Sequence, residues 1–267
     1  MQASLTFVGN ATTVLRLGAF TVLTDPNFLH AGQRVHLGYG LFSKRLTEPA
    51  LQPDELPDLD LVLLSHLHGD HFDRVARRRL RRDLPIVTTP HAARRLRRWG
   101  FGESVPLTTW SDHEVTRGDE RLRITSVPGT HGPAGVRHLL PPVMGSVVEL
   151  SKGDTLVSRL YVTGDTLYRP RLREIAERFP DLDGMLIHLG GTRILGVLVT
   201  MDAKQGADLV ELVKPVTTMP IHYDDYTVFT SPLTDFVHEV RRRQLPSGVR
   251  HVARGQTVPL PLRQPHG

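Results

Sequence analysis

The loop SHLHGDH at residues 65–71 directly follows the apolar run LVLL at residues 61–64. The run predicts a buried parallel strand, and open α/β sheets bind their ligands at the carboxyl ends of such strands. Within the loop, His66, His68, Asp70 and His71 form a dense set of transition-metal donors. We therefore predict a metal-binding loop here. A solvated histidine-rich surface loop is the alternative, and the strand-to-helix context argues against it.

The composition is that of an ordinary globular protein. Of the 267 residues, 39% are hydrophobic and 23% are charged, so we expect residues 1–267 to form a single domain with a sizeable core. No apolar run approaches the roughly 20 residues that span a bilayer. Residues 1–8 alternate as a strand does, unlike a leader peptide. We expect a soluble protein without a transmembrane segment, located in the cytoplasm.

The absence of cysteine restricts the chemistry of any metal site. Disulfides and thiolate zinc sites are excluded, so imidazoles and carboxylates must hold the metal. The net charge is +5 and is carried mostly by arginine. Arginine clusters at residues 74–82 and 94–98 could contact nucleic acid or anionic lipid. We favour solvated faces of amphipathic helices instead, because their apolar residues recur at helical spacing.

Strands and helices alternate in each half of the chain, which predicts an α/β fold. Residues 27–56 show no periodicity and are interpreted as a long functional loop. Strands are predicted at 5–8, 13–17, 20–23, 61–64, 86–88, 120–127, 146–150, 160–163, 184–188 and 217–221, and helices at 73–82, 91–99, 170–179, 203–214 and 234–243.

Four of the predicted loops carry histidine or aspartate directly after a strand. They are residues 66–71, 128–132, 163–166 and 221–223. If two sheets pack face to face with helices outside, all four loops can meet at one edge and build a single site.

The motif order resembles the metallo-β-lactamase superfamily over nearly the whole chain. The residues that carry the resemblance are His66, His68, Asp70, His71, His131, Asp165 and His222. The resemblance implies a four-layer αββα sandwich of two mixed β-sheets with a dinuclear metal site. It implies two divalent metal ions, usually Zn²⁺, and the donor types also suit Mn²⁺ or Fe²⁺.

The resemblance also assigns the ligands. It implies that His66, His68 and His131 bind the first ion. It implies that Asp70, His71 and His222 bind the second ion and that Asp165 bridges both. Two ions about 3.5 to 4 Å apart lower the pKa of bound water, so a bridging hydroxide is the expected nucleophile. Asp70 is accordingly a candidate catalytic residue as well as a ligand.

Two early segments resemble one branch of the superfamily. GNAT at residues 9–12 and LTDP at residues 23–26 are similar to the branch with ascorbate-phosphate lactonases and N-acyl phosphatidylethanolamine phospholipase D. This resemblance implies that Asp25 lies beside the metals and orients a ligand. The alternative is a turn aspartate before Pro26. Many members have histidine where this chain has Asn10.

His188 is a second candidate catalytic residue. It closes the predicted strand at residues 184–188, and the segment is similar to transfer-RNA 3′-processing endonucleases, where a histidine at this place donates a proton. The motif that normally follows is replaced here by Leu189-Gly190-Gly191-Thr192. A structural histidine that caps a strand is the alternative.

Candidate substrate-binding residues are Tyr39, Phe42 and Arg45 in the long loop and Tyr223 after the last ligand. Aromatics and cations together suit a small-molecule or lipid-like anionic substrate with an apolar part. Tyr223 is equally explicable as a core or surface residue.

The leading hypothesis is a dinuclear-metal-dependent hydrolase of a phosphodiester, or of a related ester or lactone. A nucleic-acid-processing phosphodiesterase and a non-catalytic metal-binding protein of the same fold are the alternatives. The sequence names neither the substrate nor the oligomeric state.

Overall fold

Two seven-stranded sheets form the centre of the molecule. The computed structural model describes residues 2–38, 40–135 and 139–263. Within these ranges the strands are β1 (Ala3–Gly9), β2 (Thr12–Leu17), β3 (Phe20–Thr24), β4 (Arg34–Gly38), β5 (Leu41–Lys44), β6 (Leu61–Leu63), β7 (Ile86–Thr88), β8 (Ser104–Pro106), β9 (Asp112–Arg117), β10 (Glu120–Pro128), β11 (Met144–Lys152), β12 (Thr155–Val162), β13 (Gly184–His188), β14 (Arg193–Ile194), β15 (Val197–Leu198), β16 (Thr217–Ile221), β17 (Gly248–Val249) and β18 (Thr257–Pro259). The helices are α1 (Arg74–Arg79), α2 (Pro90–Arg98), α3 (Arg173–Arg178), α4 (Ala203–Val213) and α5 (Leu233–Arg242), with 3₁₀ turns at Pro53–Glu55 and Pro170–Leu172.

Both sheets are mixed, as the resemblance implied. The first has the order β18-β1-β2-β3-β6-β7-β8 and the second β17-β16-β13-β12-β11-β10-β9. In each sheet an antiparallel meander continues into parallel strands, from β3 to β6 and from β12 to β13. Strand β18 pairs with β1, so strands near both ends of the chain lie in one sheet.

Three hydrophobic layers hold the sandwich together. The inner faces of the two sheets pack against each other through residues such as Leu5, Leu15 and Leu186. Ala76 and Leu96 of α1 and α2 cover the outer face of the first sheet. Helices α3, α4 and α5 cover the second sheet, for example through Phe236. The order of layers is therefore helix, sheet, sheet, helix, and the predicted αββα fold is confirmed.

The arginine-rich helices have the predicted amphipathic pattern. Ala92, Ala93 and Leu96 of α2 are buried, whereas its four arginines are exposed. The guanidinium group of Arg77 lies 4.2 Å from the centre of the Trp99 ring. Such stacking covers apolar surface while the charge stays in water.

The long predicted loop contains more structure than its sequence indicated. Strands β4 and β5 form a hairpin within it, and a second hairpin, β14–β15, follows the strand that ends at His188. The strands of both hairpins are only two to five residues long, so any alternation in them is too brief to mark a strand in the sequence. Helix α3 is shorter than predicted, because a 3₁₀ turn forms its predicted first residues.

Among the residues that the structure describes, no helix is long and apolar enough to cross a lipid bilayer.

Candidate metal centre

All seven predicted ligands lie at one edge of the paired sheets, at the carboxyl ends of strands from both. They follow β6 (His66, His68, Asp70 and His71), β10 (His131), β12 (Asp165) and β16 (His222). Since the loops of the two sheets face each other there, residues up to 156 positions apart in sequence, 222 minus 66, become neighbours. Side-chain donor atoms of these residues lie within 4.8 Å of one another in overlapping groups of three.

The backbone at this edge adopts conformations that few residues accept. Asn10, Asp25 and His222 have φ values of 55°, 34° and 60°. Left-handed backbone at a residue other than glycine costs about 1 kcal/mol or more and clusters at functional sites. Gly69 is required for a different reason, since a Cβ there would lie 2.8 Å from the backbone oxygen of His36.

Three imidazole nitrogens form the first cluster. Nε2 of His66 lies 3.1 Å from Nδ1 of His68, and Nε2 of His131 lies 3.3 Å from the same atom. Three nitrogens bound to one tetrahedral zinc ion at about 2.0 Å lie about 3.3 Å from one another. The spacing therefore fits one transition-metal ion. His68 is the partly exposed member, so the cluster is open to solvent on that side.

The second cluster contains Asp70, His71 and His222, with Asp165 beside it. Nε2 of His71 lies 3.4 Å from Oδ1 of Asp165, and Nε2 of His222 lies 3.5 Å from Oδ2 of Asp70. Oδ1 of Asp70, Nε2 of His71 and Oδ1 of Asp165 are buried and have no hydrogen-bond partner among the described residues. Buried polar atoms are rarely left unsatisfied, so these atoms fit a second bound cation.

In four of the imidazoles, the hydrogen-bond partner of the outer nitrogen decides which nitrogen faces the cluster. Nδ1 of His131 lies 3.0 Å from the carbonyl oxygen of Val199, and Nδ1 of His222 lies 3.3 Å from that of Leu189. Nδ1 of His71 lies 3.1 Å from a carboxylate oxygen of Asp25. Because carbonyl and carboxylate oxygens only accept, each Nδ1 carries a proton, and Nε2 is the ring nitrogen that faces inward.

The hydroxyl of Ser65 fixes the fourth imidazole. Its oxygen donates to Asp25 over 2.9 Å and lies 3.0 Å from Nδ1 of His66, from which it therefore accepts. Metal-binding histidines typically have an outer partner of this kind.

Burial and neighbouring charges shift the pKa values of the candidate metal ligands. Burial lowers the pKa of His68 to about 3 and that of His66 well below its ordinary value, so both imidazoles are neutral. Burial alone would raise the pKa of Asp165, but His222 and His71 hold it well below its ordinary range. Burial alone would lower the pKa of His71, but Asp165, Asp25 and Asp70 raise it well above. The carboxylates thus attract positive charge to this position.

Asp25 lies directly behind the second cluster. Its Oδ1 accepts the backbone N–H of Ser65 over 2.7 Å, and its Oδ2 is shared by Ser65, His71 and His188. Burial would raise its pKa, but the neighbouring His71 and His188 lower it to about 2, so the side chain is ionised. The structure therefore places Asp25 next to His71, one of the predicted ligands.

The predicted role of His188 as a proton donor to substrate does not agree with the structure. The side chain is fully buried, with Nε2 at 3.3 Å from Asp25 and Nδ1 at 3.2 Å from the hydroxyl of Thr163. Both ring nitrogens are therefore engaged inside the protein, and neither faces a leaving group. His188 instead contributes to the anchoring of Asp25.

Asn10 connects several parts of the centre, a role that the sequence analysis missed. Its amide nitrogen Nδ2 donates to the backbone oxygen of Asp70 over 2.7 Å, and its own backbone oxygen accepts the N–H of His222 over 2.9 Å. Asp225 in turn accepts the backbone N–H of Asn10. The Gly-Asn pair after β1, a turn signal, was the hint available in the sequence.

The prediction that Arg45 contacts substrate is wrong. The side chain is fully buried and pairs with Asp225 at 3.6 Å. It also donates to the backbone oxygen of Asn27 and lies over the ring of Tyr226. A guanidinium group buried and paired in this way anchors the loop from inside the molecule and offers no charge to a substrate.

The other predicted substrate residues are not brought to the metal-ligand cluster together. Phe42 is exposed at the β4–β5 hairpin, with its ring 5.0 Å from that of His36. Tyr223 packs in the core beside α4 and α5, and its hydroxyl lies 3.1 Å from Nε2 of His251. Tyr39 lies outside the described residues.

An apolar cavity of about 420 Å³ lies between the two hairpins. Leu37 and Leu41 line one side, and Ile194 and Val197 line the other. Val199 also lines the cavity, and its backbone oxygen is the partner of His131. The cavity therefore adjoins the metal-ligand cluster.

Comparisons with known proteins agree with this architecture. A metal-dependent hydrolase of Pyrococcus furiosus, described as UPF0173, is 27% identical over 235 residues, which cover 88% of this chain and 91% of the relative. A possible metal-dependent hydrolase from Veillonella parvula has a TM-score of 0.80 at 21% identity, with 97% of this chain and 100% of that one covered. An isothiocyanate hydrolase from Delia radicum gut bacteria has a TM-score of 0.77 at 20% identity, with 96% and 98% covered. These two structures are evidence for the fold alone.

The family model described as a beta-lactamase superfamily domain matches residues 21–223, which include every predicted metal ligand. The match covers more than half of the sequence, and the chain belongs to this superfamily.

Proposed function

We propose that the chain is a metal-dependent hydrolase that binds two divalent ions and cleaves an ester-type bond. The observation that carries the proposal is the set of inward-facing donor atoms: the Nε2 atoms of four imidazoles whose Nδ1 has an outer partner, and the unsatisfied oxygens of Asp70 and Asp165. Lone pairs and carboxylates that face one another repel unless a cation lies between them. The relatives named metal-dependent hydrolases support the same activity.

In this proposal His66, His68 and His131 would hold the first ion, and Asp70, His71 and His222 would hold the second. Asp165 would contribute to both. When bound, the ions supply Lewis-acid activation of water and stabilise negative charge that develops on the substrate. Asp25 keeps the proton of His71 on Nδ1, and the carbonyl of Val199 does the same for His131. Asp70, whose Oδ2 lies 3.5 Å from Nε2 of His222, is the proposed catalytic carboxylate.

The proposed substrates are small molecules that carry a phosphodiester, a carboxylic ester or a lactone. A relation to the branch with ascorbate-phosphate lactonases and N-acyl phosphatidylethanolamine phospholipase D is supported by the position of Asp25, which holds the ligand His71. Imidazole and carboxylate donors favour Zn²⁺ and accept Mn²⁺ or Fe²⁺. The proposal treats residues 1–267 as one catalytic domain.

Metal analysis joined to a substrate screen tests the proposal. We expect two divalent ions per purified chain and turnover of bis-p-nitrophenyl phosphate, p-nitrophenyl esters or lactones. The double substitution His68→Ala, Asp70→Ala should remove both metal and turnover, because each cluster loses a donor. The matched control is His238→Ala, Asp154→Ala, which removes an exposed histidine and an exposed aspartate outside the site.

Three outcomes would overturn the proposal or redirect it. Turnover that survives in the double variant would refute the assigned site. Fewer than two ions and no turnover of any substrate would favour a non-catalytic metal-binding protein. Cleavage of oligonucleotides alone, with activity that falls steeply as salt rises, would favour nucleic-acid processing.

A further inference from the structure

We propose that the cavity between the hairpins β4–β5 and β14–β15 binds an aliphatic group of the substrate next to the scissile bond. This inference rests on the proposed hydrolase function and names the class of substrate. The first observation is the lining, which consists of leucine, isoleucine and valine side chains around about 420 Å³. Pockets of this size and character bind small apolar molecules or apolar parts of larger ones.

The second observation is the position of the cavity relative to the donor atoms. On one side, the side chain of Val199 lines the cavity while its carbonyl lies 3.0 Å from Nδ1 of His131. The next residue, Thr200, donates its hydroxyl to Asp165 over 3.0 Å. Consecutive residues thus join the cavity wall to two proposed metal ligands.

The opposite wall contacts the metal-binding loop as well. A Cβ added to Gly69, between His68 and Asp70, would lie 2.5 Å from the side chain of Val35 and 2.8 Å from the backbone oxygen of His36. The β4–β5 hairpin therefore packs directly on this loop. His68, the neighbour of Gly69 in this loop, is the partly exposed member of the first cluster.

Both walls are held by buried contacts, so the cavity is a formed site. Val35 and Leu37 pack with Leu29 and Tyr226 in one buried cluster. The β14–β15 hairpin is closed by a hydrogen bond from the N–H of Val199 to the oxygen of Thr192. Preformed walls reduce the entropy that a bound chain must otherwise lose.

The rim extends the apolar surface. Leu195 is 94% exposed at the tip of the β14–β15 hairpin, and Leu139 is 54% exposed; both line the cavity. Isolated exposed leucines are ordinary, but two on the edge of an apolar cavity enlarge one continuous surface. A chain that fills the cavity would gain further burial against these side chains.

The test is a series of p-nitrophenyl esters from acetate to octanoate, with the corresponding alkyl p-nitrophenyl phosphodiesters in parallel. Each buried methylene should raise kcat/KM about fourfold, so hexanoate should exceed acetate by up to about 200-fold. Val197→Asp, and separately Leu41→Asp, should reduce the hexanoate-to-acetate ratio by about tenfold or more. Val216→Asp is the matched control, because this valine is 64% exposed at the opposite, amino end of β16 and should leave the ratio unchanged.

A binding measurement separates this inference from the proposed function. Calorimetric titration of 1-hexanol and 1-octanol into the wild-type chain should give binding that strengthens about fourfold per methylene and weakens in Val197→Asp. If the alcohols bind in this way but no ester is cleaved, the hydrolase proposal fails and the cavity remains a binding site. If esters are cleaved with no dependence on chain length, and neither Asp substitution changes the ratio, the aliphatic subsite is refuted.

Discussion

Replacement of Asp25 by asparagine should remove one metal ion although no proposed ligand is changed. Oδ1 of Asp25 accepts the N–H of Ser65, so the amide oxygen of an asparagine must occupy that position. The amide NH₂ must then occupy the position of Oδ2, where the carboxylate now accepts from His71 over 3.1 Å. A donor there faces another donor, and His71 can respond by moving its proton from Nδ1 to Nε2.

The protonated Nε2 would no longer be a ligand. This nitrogen lies 3.4 Å from Oδ1 of Asp165 and has no hydrogen-bond partner among the described residues, as expected of an atom that binds a metal ion. Loss of an outer carboxylate partner typically weakens metal binding about 10- to 100-fold. We therefore expect the second ion to bind about 100-fold more weakly, or about 2.7 kcal/mol, in Asp25→Asn.

Metal content after dialysis and calorimetric titration of Zn²⁺ would measure this effect. The first ion should be affected less than the second, because His131 keeps its own carbonyl partner and only His66 is reached indirectly, through the hydroxyl of Ser65. Asp60→Asn is the matched control: Asp60 also accepts a backbone N–H, from Thr21, but precedes β6 at the other end of the strand. If Asp25→Asn binds two ions with wild-type affinity, the tautomer argument is wrong.

Two further predictions concern residues that support the centre. Asn10→Ala should lower the free energy of unfolding in urea by about 2 to 4 kcal/mol, because the buried backbone oxygen of Asp70 loses its hydrogen-bond donor and alanine is strained at a φ of 55°. Asn10→Gly should cost less, because glycine tolerates this backbone. Equal losses in the two variants would contradict the backbone part of the argument. Burial would raise the pKa of Asp225, but Arg254, Thr47 and Arg45 hold it below its ordinary value. A carboxyl whose pKa is depressed by folding stabilises the folded state above its unfolded pKa of about 4, and this contribution is lost as the pH falls through the folded value. The drop in unfolding free energy between pH 6 and pH 3 should therefore be smaller in Asp225→Asn than in the wild type, and an equal drop would argue against the contribution of this pair.

Much of the fold was predictable because its signals are local. The strand at residues 184–188 has the predicted limits, and helix α4 begins at the predicted residue Ala203. The two hairpins were not predicted. Their strands are short, and long-range packing such as that of Leu37 on Tyr226 stabilises them.

The candidate site shows the same division. The donor residues, their order and their positions after strands were predictable, because parallel strands carry their loops to a common edge. Which nitrogen of each imidazole faces inward depends on the fold, since the partners of Nδ1 come from distant residues such as Val199 and Asp25. The burial of Arg45 and the contact of His188 with Asp25 also depend on the folded chain.

The donor-rich loop at residues 65–71 was therefore predictable from the sequence, whereas the cavity beside it was not. Leu37, Leu140 and Val197 are far apart in the chain and come together only in the folded molecule. A local pattern can specify which atoms bind a metal, because those atoms lie within a few residues of one strand end. The shape of the space above the metal depends on how separate loops pack, and this is a property of the folded chain alone.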